Sequence, residues 1–578
     1  MLRRRLILAA APLTLAGLVL AGCATQAAAP SGAVSLSTDD TSTPEATVVV
    51  DSDLSAAAVL AANADVTVVR DDEWSDADAA DIALDGDSAS SDSDAVTVDG
   101  ATVTITGAGV FRLSGSLDGQ VVVAAPEDAQ VVLILDDAEI SASDSPAITV
   151  MTADDVALQL ADGSQNAVSD ASSYADDAGA NAAIYADADL TVSGTGSLTV
   201  SGNGNDGIAS TDDLVVLSGE ITVEAVDDAL RGKDSLTVEG GTVVLEAGGD
   251  ALKSDQTDDA TQGFVAITGG DVVATSGDDA IAAATDAVIT GGTIALTAGT
   301  AATGSDDSPK GVSAGAVVAI DGGDVSVEAA DDGVHSDGSV GIGGGTLTVT
   351  SGDDGIHAEQ RLEIRDGAVT VAESVEGLEA TDIAISGGTV DVTSSDDGIN
   401  AAGATASTAA QGGGMGGGEQ DTGETLTISG GTVRLAATGD GLDSNGSIAI
   451  TGGTTVVSGP SSAGGQGAVD ANGSVAVDGG ELFVAGSVLV TPTGAQQWVA
   501  ATVSGSAGDT VEVTDAAGAA IASFEADQSF GAVFYSGPGL TDGGAYTVTV
   551  NGVSATTVTE GVAVSGGAGG GPGSGRRP

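Results

Sequence analysis

A short sequence unit recurs along most of the chain, and this repeat constrains the fold more than any other feature. One unit spans Asp228–Leu245 and contains three β-prone runs. An Asp-x-aliphatic signature opens each unit, and the steps from 206 to 228, from 228 to 250 and from 332 to 354 are each 22 residues. A single unit is too small to bury a hydrophobic face, whereas stacked units bury a continuous core. The repeat therefore predicts a solenoid.

The length of the unit favours one kind of solenoid. Left-handed β-helices use hexapeptide repeats, and a propeller blade needs about 40 residues. The nine-residue period of calcium-binding nonapeptide rolls is absent. We therefore predict a right-handed parallel β-helix over residues 95–487, with about 13 coils spaced by about 4.8 Å. Strand-like runs predict a small C-terminal β module over residues 488–560, and we expect residues 561–578 to form a disordered glycine-rich tail.

The N-terminus predicts export. Three arginines at 3–5 precede an apolar run over residues 6–20, which is the layout of a signal peptide at residues 1–22. The run ends in Leu-Ala-Gly-Cys, which resembles a lipobox, so we expect lipidated Cys23 to anchor the protein to the outer face of a membrane. The alternative is an ordinary cleavage site beside a plain thiol. Cys23 is the only cysteine, which excludes an intrachain disulfide. Residues 23–94 are expected to form a flexible linker.

The chain is strongly acidic. Loss of the three signal-peptide arginines leaves 11 of the 14 Lys and Arg against 85 Asp and Glu, a formal net charge of −74. Nucleic acid and anionic surfaces repel such a chain, so a polyanionic ligand would have to bind together with cations. A hydrophobic content of 42% favours a folded core over disorder.

Stacking converts the opening acids of the units into a ladder. Carboxylates about 4.8 Å apart repel by about 1 kcal/mol in water and by about 3.5 kcal/mol at an effective dielectric of 20. Because few basic residues can offset this repulsion, we predict that Ca²⁺ binds at the ladder. The alternative is turn chemistry alone, since Asp side chains cap the backbone in such corners. The candidate calcium ligands are Asp227, Asp228, Asp250, Asp278, Asp279, Asp331, Asp332, Asp353, Asp354, Asp396 and Asp397.

A second column lies three residues after each ladder acid. It contains two of the seven Lys and Arg between residues 206 and 473 and both histidines of the chain. We interpret this column as a surface that contacts the carboxylates or hydroxyls of a ligand, and the alternative is local ion pairing with the ladder. Two stacked histidines are also compatible with a metal site. The candidate ligand-binding residues are Arg231, the adjacent Lys233, Lys253, His335 and His357.

No catalytic motif stands out from the repeat. Neither histidine has a G-x-S-x-G partner, and the sequence contains no P-loop or zinc motif. We therefore predict a binding protein and not an enzyme. Two alternatives stay open, namely a polysaccharide lyase or hydrolase on the same scaffold, and a structural or adhesive stalk without sugar specificity.

Four segments carry a resemblance to a known family: Leu113–Val121, Asn181–Ala186, Asn205–Ile208 and Leu230–Val238. They resemble the exported carbohydrate-binding domain-containing proteins typified by a polygalacturonate-binding β-helix of cellulolytic bacteria. The resemblance implies a right-handed parallel β-helix with bound calcium and affinity for acidic, uronate-rich polysaccharide. It extends the calcium role only to acids in matching corners, and Ala282 and Glu376 depart from the pattern.

Overall fold

The computed structural model describes residues 53–175, 178–299, 308–403, 421–461, 467–487 and 491–563. Within these ranges, 45 strands belong to one hydrogen-bonded network and four form a separate sheet. Successive strands pair in parallel with their equivalents in the next coil, which confirms the predicted parallel β-helix. The predicted signal peptide and Cys23 lie outside the described residues, as do residues 564–578 of the predicted tail.

Each coil contributes one strand to each of three sheets. Some longer strands bend at a corner and serve two sheets, as Ile356–Ile364 does for sheets 1 and 2. Sheet 1 consists of Val96–Asp99, Thr102–Ile105, Gln120–Ala124, Ile148–Thr152, Ala182–Ala186, Asp206–Ser210, Leu230–Gly232, Leu252–Ser254, Ile281–Ala283, Val312–Ala314, Val334–Ser336, Ile356–Ile364, Leu378–Ile385, Ile399–Ala401 and Leu442–Ser444.

The second and third strands of each coil form sheets 2 and 3. Sheet 2 consists of Ala80–Gly86, Gly109–Leu117, Gln130–Ser141, Asp155–Leu160, Asp189–Gly194, Asp213–Val216, Ser235–Val238, Phe264–Ile267, Asp286–Ile289, Val317–Ile320, Ser339–Ile342, the second halves of the two bent strands at 356–364 and 378–385, Thr425–Ile428, Ser447–Ile450 and Val475–Val477. Sheet 3 takes the ends of its first three strands from sheet 2 and continues with Gln165–Ser169, Ser197–Gly202, Glu220–Ala225, Thr242–Ala247, Asp271–Thr275, Thr293–Thr297, Asp324–Ala329, Thr346–Ser351, Ala368–Glu373, Thr389–Ser394, Thr432–Ala437, Thr454–Ser458 and Glu481–Gly486.

The core is a stack of aliphatic side chains inside the coils. Alternate residues of each strand point inward, so that Val243 and Leu245 are buried while Thr242 and Glu246 are exposed. In-register parallel pairing then stacks similar side chains on one another, for example Val243 on Val272 of the next coil. This arrangement needs β-branched and aliphatic residues and few aromatics, which is the composition of the chain.

Glycine at the sheet 2–sheet 3 corner is required by the close approach of successive coils. Gly241 has φ +91°, and a Cβ there would lie 2.8 Å from the carbonyl oxygen of Gly219 in the coil above. Both the conformation and the space therefore exclude other residues, which explains the Gly-Gly pair in most units.

Residues 53–94, which the sequence predicts to be part of a flexible linker, contain a helix, a 3₁₀ turn and two strands in the structure. A helix at Ala56–Ala62 packs with Leu54 against Val288, Val317 and Ala319 on the outer face of sheet 2. A single-turn 3₁₀ helix follows at Asp76–Asp78, and strand Ala80–Gly86 begins the solenoid by pairing with Gly109–Leu117.

The segment between helix and solenoid, residues 63–75, runs back along the outer face of sheet 2. The Thr67 amide donates to Asp213 Oδ2 at 2.8 Å, and the Val69 amide donates to Thr191 Oγ1 at 3.0 Å. Arg70 forms a bidentate ion pair with Glu239 at 2.7 and 2.8 Å. These contacts order a segment whose composition alone suggests a linker.

Antiparallel strands terminate the solenoid at both ends. At the start, Val96–Asp99 pairs antiparallel with Thr102–Ile105, and Ala89–Ser90 pairs with Ala80–Gly86. At the end, Ala532–Ser536 pairs antiparallel with the last strand of sheet 3. This strand also pairs with Trp498–Ala501.

The predicted C-terminal β module is present. Its separate sheet has the strand order Ala520–Glu525, Thr510–Thr514, Ala545–Val550 and Val553–Thr559. Its core, together with the last strand of sheet 3, contains five of the twelve aromatic residues of the chain, among them Phe483, Phe524 and Tyr535. The ring centroid of Phe483 lies 5.1 Å from that of Phe524 and 4.9 Å from that of Tyr535. In the part of the chain covered by the described ranges, no helix is long and apolar enough to cross a membrane.

Candidate functional site

The outward side chains of sheet 1 form a continuous column, here called the polar strip. Most of its strands have three residues, of which the first and last are buried and the middle one faces outward. In-register pairing stacks these middle residues from coil to coil. The polar strip consists of Tyr185, Ala209, Arg231, Lys253, Ala282, Ser313, His335, His357, Glu379, Asn400 and Asp443.

Four of the five predicted ligand-binding residues lie in the polar strip. Lys233 does not, because the strand at Leu230–Gly232 has already ended and Lys233 lies in the turn toward sheet 2. Its amide donates there to the Ser210 carbonyl at 3.0 Å.

The opening residues of the coils form a second column, here called the corner ladder, in which side chains cap the next coil. Asp228 Oδ1 accepts the Asp250 amide at 2.9 Å, and Asp250 Oδ1 accepts the Asp279 amide at 3.0 Å. The Oδ1 atoms of these carboxylates therefore accept backbone hydrogen bonds from the next coil. The Oδ2 atoms of Asp228, Asp250 and Asp332 contact side chains of the polar strip. The corner ladder consists of Asp206, Asp228, Asp250, Asp279, Lys310, Asp332, Asp354, Glu376, Asp397 and Asp440.

Two basic residues neutralise part of the corner ladder. Lys253 Nζ lies 3.0 Å from Asp228 Oδ2 and 2.8 Å from Asp250 Oδ2. Burial acts to lower the pKa of Lys253, but these two carboxylates raise it above its ordinary value. Arg231 Nη2 lies 2.6 Å from Asp255 Oδ2, and Nη1 lies 3.8 Å from Asp206 Oδ2. Both cations are thus engaged in local ion pairs, and their contact with a ligand remains a prediction.

Burial disfavours the charged form of other acids in the corner ladder. Burial raises the pKa of Asp206 to about 7, and the carboxylate of Asp228 adds to the shift. Burial likewise raises the pKa of Asp279, of Asp354 and of Asp397 to about 7. A bound cation would favour the ionised forms, because an opposite charge lowers the pKa of a carboxyl group.

Three described clusters place three carboxylates with oxygens within 4.8 Å of one another, which is a donor set that a hard divalent cation prefers. In the cluster of Asp206, Asp227 and Asp228, burial and Asp228 raise the pKa of Asp227, so a bound cation would relieve the repulsion among these acids. Basic groups contact two of the three acids in this cluster and in the second one, which leaves Asp227 and Asp353 as the acids without such a contact in these ion pairs. The clusters are Asp206 with Asp227 and Asp228, Asp331 with Asp332 and Asp353, and Asp440 with Asp443 and Asp470.

The remaining predicted calcium ligands are separated from these all-carboxylate clusters. Among the described residues, Asp354 is grouped with His357 and Glu379 instead. Asp250, Asp278, Asp279, Asp396 and Asp397 belong to no described group of three metal-ligating side chains. Their calcium role remains a prediction.

The two histidines stack in the middle of the polar strip, with ring centroids 5.0 Å apart and planes at 79°. His335 Nδ1 lies 2.9 Å from Asp332 Oδ2, and its Nε2 lies 3.2 Å from Asp337 Oδ1. Burial acts to lower the pKa of His335, but its hydrogen bonds to these two carboxylates raise it to about 9. Burial and the neighbouring His335 lower the pKa of His357.

The polar strip presents a carboxyl group, Glu379, in the next coil. Burial, Glu376 and Asp354 raise the pKa of Glu379 to about 10, so that it is protonated at neutral pH and hydrogen bonds to both acids. The amide of Asn400 donates to Glu376 Oε2 at 2.8 Å. The strip therefore presents basic side chains at Arg231 and Lys253 and carboxyl groups at Glu379 and Asp443.

Sequence reasoning missed some members of these columns. Lys310 replaces the corner acid of its coil, and its Nζ lies 2.8 Å from Asp331 Oδ2. The coil opens with Lys310 instead of Asp, so the Asp signature does not mark it. Ser313, which stacks with His335, was therefore not predicted as a member of the second column. The Lys-Gly-Val spacing of residues 310–312, aligned with Asp-Gly-Val at 332–334, was the signal that could have found both.

The fold and the polar strip define a class, that of parallel β-helix proteins with a column of outward side chains, most of them polar, along one sheet. The profile of one family, described as carbohydrate-binding domain-containing protein, matches residues 99–355 and 342–488, more than half of the chain. The chain belongs to this family, as the repeat segments led us to expect. No curated protein sequence matches it significantly.

One solved structure that matches the chain is described as the polysaccharide lyase-like protein from C. thermocellum, in a gadolinium derivative. The two chains are 31% identical with a TM-score of 0.36, and the match covers 47% of this chain and 94% of that chain.

Proposed function

We propose that the protein is an exported lipoprotein that binds acidic, uronate-rich polysaccharide along the polar strip with the help of calcium. Membership of a carbohydrate-binding family supports the carbohydrate part of this proposal. The observation that carries the rest is the polar strip itself, which continues in register from Tyr185 to Asp443 beside a ladder of acids. Such a surface presents one side chain per coil at about 4.8 Å intervals and suits an extended polymer.

Calcium has a defined role in this proposal. The corner ladder repels a polyuronate. Lys253 is already paired with its acids, and Arg231 is paired with Asp255 and lies near the ladder acid Asp206. Asp206, Asp227 and Asp228 would hold the cation, and the bound cation supplies the positive charge that a uronate carboxylate needs. In this proposal the protein binds the polysaccharide without cleaving it, and the alternative is a lyase or hydrolase on the same scaffold.

The test is binding of the mature protein to polygalacturonate and to its methyl ester, with calcium and with chelator. We expect retention only on the unesterified polymer and only with calcium. Asp227→Asn should weaken binding, whereas Asp271→Asn, an exposed acid on sheet 3, should not. Equal binding to the ester or in chelator would refute the calcium-bridged uronate contact. Absence of any glycan binding would favour a stalk, and release of unsaturated oligosaccharides would establish a lyase.

The anchor has its own test. Labelled fatty acid should be incorporated into the full-length protein expressed in an exporting bacterial host, and Cys23→Ala should abolish the label. Labelling of the Cys23→Ala variant at the level of the wild type would contradict lipidation at this residue.

A further inference from the structure

Both histidines of the 578-residue chain lie in one cluster of the polar strip. Two imidazoles in adjacent coils, surrounded by carboxylates, form a different donor set from the all-oxygen clusters of the corner ladder. Nitrogen ligands suit borderline metals such as Zn²⁺, whereas Ca²⁺ takes oxygen. Calcium binding therefore does not explain why both histidines lie together in this cluster.

The metal-ligating atoms converge. Nδ1 of His335 lies 2.9 Å and Nδ1 of His357 lies 3.9 Å from the same atom, Asp332 Oδ2. All three ligand atoms lie within 4.8 Å of one another. Ligands placed about 2.0–2.2 Å from Zn²⁺ in a tetrahedron lie about 3.4 Å apart, so small side-chain rotations bring these three atoms to a shared ion.

Further carboxylates face the opposite nitrogens. Nε2 of His335 is hydrogen-bonded to Asp337 Oδ1 at 3.2 Å, and Nε2 of His357 lies 4.0 Å from Glu359 Oε1, which is ion-pair distance and too long for a hydrogen bond. A carboxylate that accepts the proton of one ring nitrogen leaves the other nitrogen free to bind a metal, as in carboxylate–histidine–zinc triads. Each imidazole thus has a carboxylate on the side away from the shared centre.

Access and charge also suit a bound cation. The side chains of His335 and His357 are 15% and 23% exposed, so that an ion can enter from the outer face of sheet 1. Asp354 Oδ2 lies 3.4 Å from the same atom of His357, Nδ1, and offers a further carboxyl oxygen. A fourth position remains for Asp354, water or an external carboxylate.

We propose that Asp332, His335 and His357 form a binding site for one Zn²⁺ ion on the polar strip. The inference is independent of polysaccharide binding, since it depends only on side chains of this chain. The site is distinct from the calcium clusters in its nitrogen donors, and Zn²⁺ held there would place a positive charge at the centre of the polar strip.

The experiment is a calorimetric titration of the metal-depleted mature protein with Zn²⁺ in millimolar Ca²⁺. We expect one Zn²⁺ per chain that calcium does not displace. His335→Gln and His357→Gln should each weaken binding by at least the roughly 10- to 100-fold that loss of an orienting partner costs. The matched control Asp227→Asn, which alters an all-carboxylate cluster, should leave Zn²⁺ affinity unchanged.

A second measurement requires no variant. Because the chain contains only two histidines, selective ¹⁵N-histidine labelling gives two ring systems, and Zn²⁺ should shift the Nδ1 resonance of both. Undiminished affinity in both Gln variants, displacement of Zn²⁺ by calcium, or unchanged Nδ1 resonances would each overturn the proposal and leave the cluster as a hydrogen-bonded ion pair.

Discussion

Replacing Asp279 with Asn should stabilise the protein at alkaline pH. Asp279 Oδ1 accepts the Lys310 amide at 2.7 Å, and the amide oxygen of Asn can accept the same bond. Burial raises the pKa of Asp279 from 3.8 to about 7, with Asp250 and Asp278 adding to the shift. A displacement of about 3 pKa units corresponds to a cost of at most about 4 kcal/mol for the ionised carboxylate, and relaxation of this corner reduces the expected gain to about 2 kcal/mol.

The raised pKa of Asp279 determines how the stability difference between the variant and the wild type changes with pH. Between pH 4 and 7 the folded protein binds more protons at Asp279 than the unfolded chain does, so the destabilising contribution of this carboxyl group shrinks as the pH falls through this window. Above pH 7 the full cost applies. The advantage of Asp279→Asn should therefore be largest at pH 8, shrink at pH 5 and vanish below about pH 4.

Urea unfolding followed by circular dichroism, in chelator at pH 8 and pH 5, measures this difference. Asp271→Asn serves as the control, because Asp271 is an exposed acid on sheet 3. If Asp279→Asn were no more stable than the wild type at pH 8, and its stability changed with pH as the wild type does, the corner carboxylate would not carry the cost deduced from its burial.

Three further predictions concern calcium, a buried ion pair and a corner glycine. Calcium at millimolar concentration should raise the thermal midpoint of the wild type relative to chelator at equal ionic strength, and an unchanged midpoint would leave turn chemistry alone. Lys253→Gln should lower the free energy of unfolding by about 2 kcal/mol in urea, since it leaves the buried Asp228 and Asp250 without their counter-charge; a further Asp250→Asn change should restore part of the loss. Gly355→Ala should cost about 1–3 kcal/mol, because its Cβ would lie 2.6 Å from the Gly377 carbonyl oxygen, while Gly179→Ala, with nothing within 4 Å, should be nearly neutral in the same assay.

The solenoid was predictable because its information is local and repeated. Each unit contains its own strands and corners, and a period of 22 residues specifies which residues stack. The same logic located the polar strip, where Arg231 pairs with Lys253 and His335 with His357. Register in a parallel β-helix follows from the repeat, so columns can be derived without coordinates.

The ordered N-terminal segment was not predictable in this way. Its composition is that of a linker, and its contacts reach far along the chain, as from Thr67 to Asp213 and from Arg70 to Glu239. No periodicity signals such pairings. The sequence predicted only in general terms that corner carboxylates accept hydrogen bonds from the backbone. It does not say that Asp228 accepts the amide of Asp250 in the next coil, or with which oxygen.

The antiparallel strands at the two ends have a consequence for how such a molecule can change in length. A bare end of a parallel β-helix is an unpaired edge that can recruit another copy and grow into a fibre. Here Val96–Asp99 covers the end of sheet 1, and Ala532–Ser536 covers the end of sheet 3, at edges where a foreign strand would add. Duplication of one interior coil would add about 4.8 Å and one more outward side chain and would leave these end strands in place. Reach and valency in this architecture can thus evolve together.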